Sequence, residues 1–231
     1  MKIITLDVKQ IRIYEIDAIP FALLSTVSTI GKIVDVFSFI IKESPLAGDK
    51  LSFTNGEIKI KNTNVAINSL IFEPRRILLS VKGDSKIADS IYQKIHDLIN
   101  AISKSSELSQ ELIKSEETAC VAKLNAEFFD IFDRKFVDFL NSALKSTSRD
   151  YAKSYLKSIR LGFFLSYEVL EKNLFENSIT MGEKPFVIEP REGTPLKKKI
   201  FYTMSPNDSD THIKIIQDFE KSFRQKQKAI K

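Results

Sequence analysis

The stretch Ile71-Phe72-Glu73-Pro74-Arg75 returns as Val187-Ile188-Glu189-Pro190-Arg191, an offset of 116 in a chain of 231 residues. In both places two β-prone apolar residues run into Glu-Pro. Proline lacks a backbone N–H and fixes φ, so it ends a strand in a turn. Each copy is followed by an apolar strand, a polar turn and an amphipathic helix. The match predicts an internal duplication, with an insertion around Gly193 to Pro195 in the second copy.

Working back from the first copy, residues 3–15 alternate in part through Ile3, Thr5, Leu6, Val8, Ile11 and Ile13 and contain no Gly or Pro. They predict a long strand, bulged near Thr5-Leu6. Pro20 suits a first helical turn, and Leu23/Leu24, Val27, Ile30, Val34, Phe37 and Ile41 recur at helical spacing, predicting one helix over 20–41. Strands near 51–60, 65–72 and 76–81 form an antiparallel meander, divided by Lys61 to Asn64 and by Glu73-Pro74. Gly83-Asp84-Ser85 then caps a helix striped by Ile87, Ile91, Ile95, Leu98 and Ile102.

The second half repeats the order. A strand near 120–128 leads into an amphipathic helix over 129–144, with Phe129, Phe132, Phe136, Val137, Phe139 and Leu140 on its core side. A helical connector over 149–157 precedes strands near 159–169, 186–189 and 198–204. Ser205 to Asp210 opens a last helix carrying Ile213, Ile216, Phe219 and Phe223.

The expected fold class is therefore α+β, two β-α-β-β-β-α pseudo-repeats whose antiparallel sheet is covered by helices. The expected organisation is a first repeat over 1–103, a helical linker over 104–117, a second repeat over 118–220 and a basic tail over 221–231. This layout resembles the TATA-binding-protein-like or helix-grip arrangement in element order over most of the chain. The TATA-binding protein's sequence motifs are not present, nor are paired phenylalanine wedges on two equivalent loops, so the resemblance does not imply DNA bending. Tandem ferredoxin-like lobes are the structural alternative.

Composition narrows the function classes. The chain is 43% apolar and 28% charged, which fits a globular core rather than disorder. Cys120 is the only cysteine, which excludes an internal disulfide and fits a reducing, cytoplasmic compartment. Lys32 and Asp35 interrupt the apolar stretch from Pro20 to Ile41, so a buried helix is expected there rather than a membrane span. The net charge of +5 resides in Lys221, Arg224, Lys226, Lys228 and Lys231; the rest of the chain carries 30 basic and 30 acidic residues.

Catalytic signatures are sparse. The sequence contains no Walker loop, no Rossmann glycine fingerprint and no Gly-x-Ser-x-Gly elbow. His96 and His212 are expected on the surface and Cys120 in the core. Asp130 and Asp133 are expected to serve a helix dipole, and Asn207 to Asp210 to cap a helix. No cofactor or metal is implied. Candidate anion or partner contacts are Arg75, Arg76 and Arg191 in the Glu-Pro-Arg turns and the run Lys197, Lys198 and Lys199. Turn chemistry accounts for the first group without a ligand, and an exposed edge strand accounts for the second. Lys153, Lys157, Arg160 and the tail would join a nucleic-acid surface if one existed. The reading is a non-catalytic binding or scaffold protein engaging a protein partner or itself through its sheet. A nucleic-acid binder, and an enzyme or small-ligand sensor with a cleft between the repeats, are the alternatives. Process, partner and oligomeric state are not written in the sequence.

Overall fold

The computed structural model describes residues 1–41, 43–103, 108–125, 134–146, 161–165 and 184–229, and the fold is α+β with an open antiparallel sheet. The chain forms two compact units. The N-terminal unit comprises Thr5–Thr118 and Asn207–Asp210; the C-terminal unit comprises Met1–Ile4, Ala119–Pro206 and Thr211–Lys231.

In the N-terminal unit, strand β1 (Lys2–Ile13) is followed by helices α1 (Phe21–Leu24) and α2 (Val27–Phe37). Strands β2 (Leu46–Ala47), β3 (Lys50–Ile60), β4 (Thr63–Glu73) and β5 (Arg76–Lys82) come next, then helix α3 (Ser85–Ser103). The strands lie in the order β2-β3-β4-β5-β1, and each of these neighbouring pairs is antiparallel. The β3–β4 hairpin closes through Lys61 and Asn62, both at positive φ, as the twist of a two-residue hairpin demands.

Cross-strand register sorts the sheet into two faces. One carries the rows Leu51–Phe72–Ile77–Arg12 and Phe53–Leu70–Leu79–Gln10, whose apolar members are buried beneath the helices with Ile33, Phe37, Ile91, Ile95 and Ile99. The other carries Ser52–Ile71–Leu78–Ile11 and Thr54–Ser69–Ser80–Lys9, none of them buried. At Asn55, which has φ 56°, and Asn68 opposite it, the alternation reverses on both strands. Gly56, Ile58, Val65 and Ile67 thereby continue the core. Gly56 is required by close approach: a Cβ there would lie 2.5 Å from the Phe39 ring and 2.7 Å from the Phe37 carbonyl oxygen.

Several expectations are corrected. The helix expected over 20–41 breaks at Ser25-Thr26, because extended Thr26 turns its side chain to accept the Thr29 N–H, and the second piece ends at left-handed Ser38. In β1 the buried positions are Val8 and Gln10, not the more apolar Ile11 and Ile13. Residues 108–112 of the expected helical linker are not helical, and β6 (Ile113–Lys123) begins well before residue 120. Its inward positions include Ser115 and Thr118, small polar residues that hide a strand from any hydrophobic pattern.

The C-terminal unit holds the end of β6, α4 (Arg134–Ser146), β7 (Leu161–Leu165), β8 (Lys184–Pro190), a 3₁₀ turn (Leu196–Lys198), β9 (Ile200–Ser205) and most of α5 (Ser209–Ala229). Its strand order is β6-β9-β8-β7, with β7–β8 and β8–β9 antiparallel. Cys120, Ala122, Leu124, Ile188, Phe201 and Ile216 are buried here. Phe136 and Phe139 of α4 are not core as expected: they are 45% and 64% exposed. The expectations for Phe129, Asp130, Phe132, Asp133, the 149–157 helix, Lys153, Lys157 and Arg160 lie outside the described residues.

Candidate functional site

The inner face of the N-terminal unit ends in a polar cluster. Gln10 and Arg12 share the inward side of β1 with Val8, so they terminate two otherwise apolar rows. Arg12 donates to Asp89 at 2.7 Å and to Glu111 at 3.1 Å, and its guanidinium carbon lies 4.1 Å from the centre of the Tyr92 ring. Gln10 donates to Asp89 at 3.0 Å and to Glu116 at 3.1 Å, and Lys114 donates to Asp89 at 2.7 Å. Tyr92 places its hydroxyl against the carbonyls of Gln10 and Ile77, at 3.1 and 2.8 Å.

Electrostatics here favours fixed charge over proton transfer. Burial pushes the Asp89 carboxyl up, but hydrogen bonds from Lys114 and Gln10 and the charges of Lys114 and Arg12 outweigh it and hold Asp89 below the usual carboxylate range. Burial raises Tyr14, whose hydroxyl is hydrogen-bonded to His96 Nε2 at 2.8 Å; burial first, then Arg12, lowers His96. A protonated phenol bonded to a neutral imidazole is a packing device rather than an activated nucleophile. Gln10 Oε1 and Arg12 Nε are buried without a hydrogen-bond partner among the described residues.

His212, expected on the surface, is fully buried in the C-terminal unit. Thr203 donates to the Cys120 carbonyl at 3.2 Å, which leaves its oxygen to accept from His212 Nε2–H at 2.9 Å; Ser205 then donates to Nδ1 at 2.7 Å. Burial lowers its pKa to about 4, so the ring is neutral and structural. Its partners are hydroxyls nine and seven residues upstream, a signal hydrophobic spacing does not carry.

The basic residues singled out by sequence fall on two turns. Arg76 pairs with Glu73 across the β4–β5 turn, and exposed Arg75 uses its carbonyl to accept from Tyr14 N–H at 2.9 Å. Arg191 is exposed and its N–H donates to the Ile200 carbonyl at 2.9 Å. Lys197 and Lys198 are exposed in the 3₁₀ turn, and Lys199 is left-handed at φ 55°. These lysines do not guard an edge, since the β9 they precede has β6 and β8 as neighbours. Helix α5 begins at Ser209, within the Asn207 to Asp210 cluster.

A second candidate site is the opposite face of the N-terminal sheet, whose central residues are not fully buried. Its central row, Ile11–Leu78–Ile71, is apolar and half-buried, and Ser52, Ser69, Ser80 and Thr54 surround it. Charge around it is mixed, with Lys82 opposite Asp7, Arg76 opposite Glu73, and Lys9 adding one further cation. Among the described residues no group of three or more His, Cys, Asp or Glu is placed to hold a metal ion, and no helix is long and apolar enough to cross a membrane.

The geometry thus defines an α+β protein with a half-buried apolar row on one sheet face and a charge-paired cluster on the other. No protein-family model matches the chain, and no curated protein matches it.

Proposed function

We propose that this is a non-catalytic binding or scaffold protein whose N-terminal unit engages a protein partner through the Ile11–Leu78–Ile71 face. The observation that carries the reading is that row: three apolar side chains held side by side on paired strands, only half-buried and rimmed by hydroxyls. Two of the three cations around the row stand opposite carboxylates, which favours a protein over a nucleic acid, whose affinity accumulates from many unpaired cations. A cytoplasmic location, where Cys120 stays reduced, completes the reading.

The same proposal includes the duplication. Strand order β3-β4-β5-β1 in one unit is matched by β7-β8-β9-β6 in the other, with a helix after the first and last strand of each. Asp84-Ser85 at the start of α3 recurs as Asp208-Ser209 at the start of α5, an offset of 124. The step from 116 to 124 falls in the longer turn holding Arg191 to Lys199, as an insertion there requires. This element order supports the TATA-binding-protein-like layout over ferredoxin-like lobes.

The test uses the full chain and its Leu78→Lys and Ile71→Lys variants as bait, with Val27→Lys on the exposed side of α2 as control. The expected result is a purified partner protein whose Kd rises at least about tenfold with either face substitution and is unchanged by the control. A partner indifferent to both face substitutions overturns the assignment. Binding that collapses with salt and with removal of residues 221–231 transfers it to a nucleic acid.

A further inference from the structure

Strand β2 is only two residues long and covers only the start of β3: Leu46 pairs with Leu51 and Ala47 with Lys50, after which Ser52 N–H donates to the Pro45 carbonyl at 2.8 Å. Beyond that point, Thr54 and Asn55 border an open groove of about 320 Å³, lined also by Phe39, Ile40, Ile41 and Glu43. From Gly56 to Ile60, β3 pairs with β4 on one side and has no strand on the other among the described residues. An extended strand with one unpaired edge is a template for another strand.

The side chains along this edge specify which strand. Gly56-Glu57-Ile58-Lys59-Ile60 places Ile58 and Ile60 toward the core and Glu57 and Lys59 toward solvent. In an antiparallel pairing of this segment with itself, centred on Ile58, Glu57 falls opposite the partner's Lys59 and Lys59 opposite the partner's Glu57. Ile58 meets its own copy, and Gly56 meets the partner's Ile60. Both charged pairs are attractive, and symmetry makes them identical. A shift of one residue in the centre loses this. Centred on Glu57 or on Lys59, the pairing sets a like charge directly against itself. The hairpin tip extends the match: the partner's Lys61 falls opposite Asn55, at the groove that carries Glu43.

We infer that a second copy of this chain docks here, β3 edge to β3 edge, in an antiparallel register fixed by reciprocal Glu57–Lys59 pairs. The inference is independent of the sheet-face reading, since it uses backbone hydrogen bonds at an edge and none of Ile11, Ile71 or Leu78. Five paired residues and two exposed ion pairs define a weak, concentration-dependent dimer rather than an obligate one.

The experiment is sedimentation velocity on the full chain from low micromolar to near-millimolar concentration, on wild type, Glu57→Lys, Lys59→Glu and the double swap. Wild type is expected to pass from monomer to dimer across the range. Each single reversal sets two like-charge pairs face to face and weakens dimerisation about tenfold. The double swap restores attraction and recovers affinity to within about threefold of wild type. A wild type that stays monomeric overturns the inference, as do single reversals without effect or a double swap that fails to recover. Both residues are exposed, so the four proteins are expected to melt together, and a double swap that dimerises reports on pairing whatever the single variants do.

Discussion

Arg12 stands where an apolar row of the sheet meets the polar flank of α3, its guanidinium shared between Asp89, Glu111 and the Tyr92 ring. Only 11% of its side chain is exposed, so removing it takes the guanidinium from Glu111 and opens a gap beneath Tyr92, while Asp89 keeps Lys114 and Gln10. Arg12→Met is expected to cost about 1–2 kcal/mol, read as a lower urea midpoint, and Arg12→Lys to recover little because an ammonium cannot bridge both acids in one plane. A midpoint unchanged in Arg12→Met would show that the pairs contribute nothing net.

His212 supplies a pH signature at the same scale. Its native pKa of about 4 lies below the ordinary 6.5, so between those values the unfolded chain holds a proton that the native ring refuses. Its contribution to stability is full near neutrality and is lost as pH falls through this window, by about 3 kcal/mol at the acid end. Urea midpoints measured from pH 7 to 4 should fall less steeply in His212→Gln than in wild type. Parallel slopes would mean that the ring titrates normally.

At the scale of elements, the starts of α3 and α5 exchange caps. Ser85 N–H donates to Ser209 Oγ at 3.1 Å and Ser209 N–H to Ser85 Oγ at 2.8 Å, with the two hydroxyls 3.0 Å apart. Asp84 caps α3 conventionally, accepting from Ile87 N–H at 2.8 Å. Each serine thus satisfies a helix-end donor 124 residues away. Ser85→Ala and Ser209→Ala are each expected to cost about 1 kcal/mol. The double variant should cost clearly less than their sum, because the first substitution already breaks the hydroxyl pair. Strict additivity in thermal melts would show that the serines act alone.

The elements that sequence spacing located are those whose buried residues are apolar: the β3–β4–β5 meander, and α3 with Ile91, Ile95 and Ile99 on its buried side. Elsewhere polar residues hold inward positions through distant partners. Gln10 is buried because of Asp89 and Glu116, His212 because of Thr203 and Ser205, and β6 turns Ser115 and Thr118 inward. Periodicity reports transfer free energy and is silent about hydrogen bonds closed across 79 or 106 residues. The candidate site was legible in kind, as a sheet surface. Its position was not, because Ile11 and Ile13 invite burial and the structure spends the other side of β1 on the core.

For the molecule as a whole, the division of the chain bears on cooperativity. Neither unit is one continuous segment: β1 gives Lys2–Ile4 to one and the rest to the other, β6 divides after Thr118, and Asn207–Asp210 belongs with residues far upstream. Strands β1 and β6 and helix α5 thus each run through both sets of residues. A single cooperative transition is expected, with calorimetric and van't Hoff enthalpies equal. Gly56→Ala probes this from far along the chain. The new methyl meets the Phe37 backbone carbonyl as well as the Phe39 ring, so side-chain rotation alone cannot relieve it, and the cost should be about 2 kcal/mol. In one cooperative molecule that cost lowers the whole endotherm by several degrees, including the part reported by the exchange-protected amides of β9 and α5. If the endotherm instead splits, leaving β9 and α5 protected while β3 and β4 exchange, the shared strands do not couple the units, and each folds on its own account.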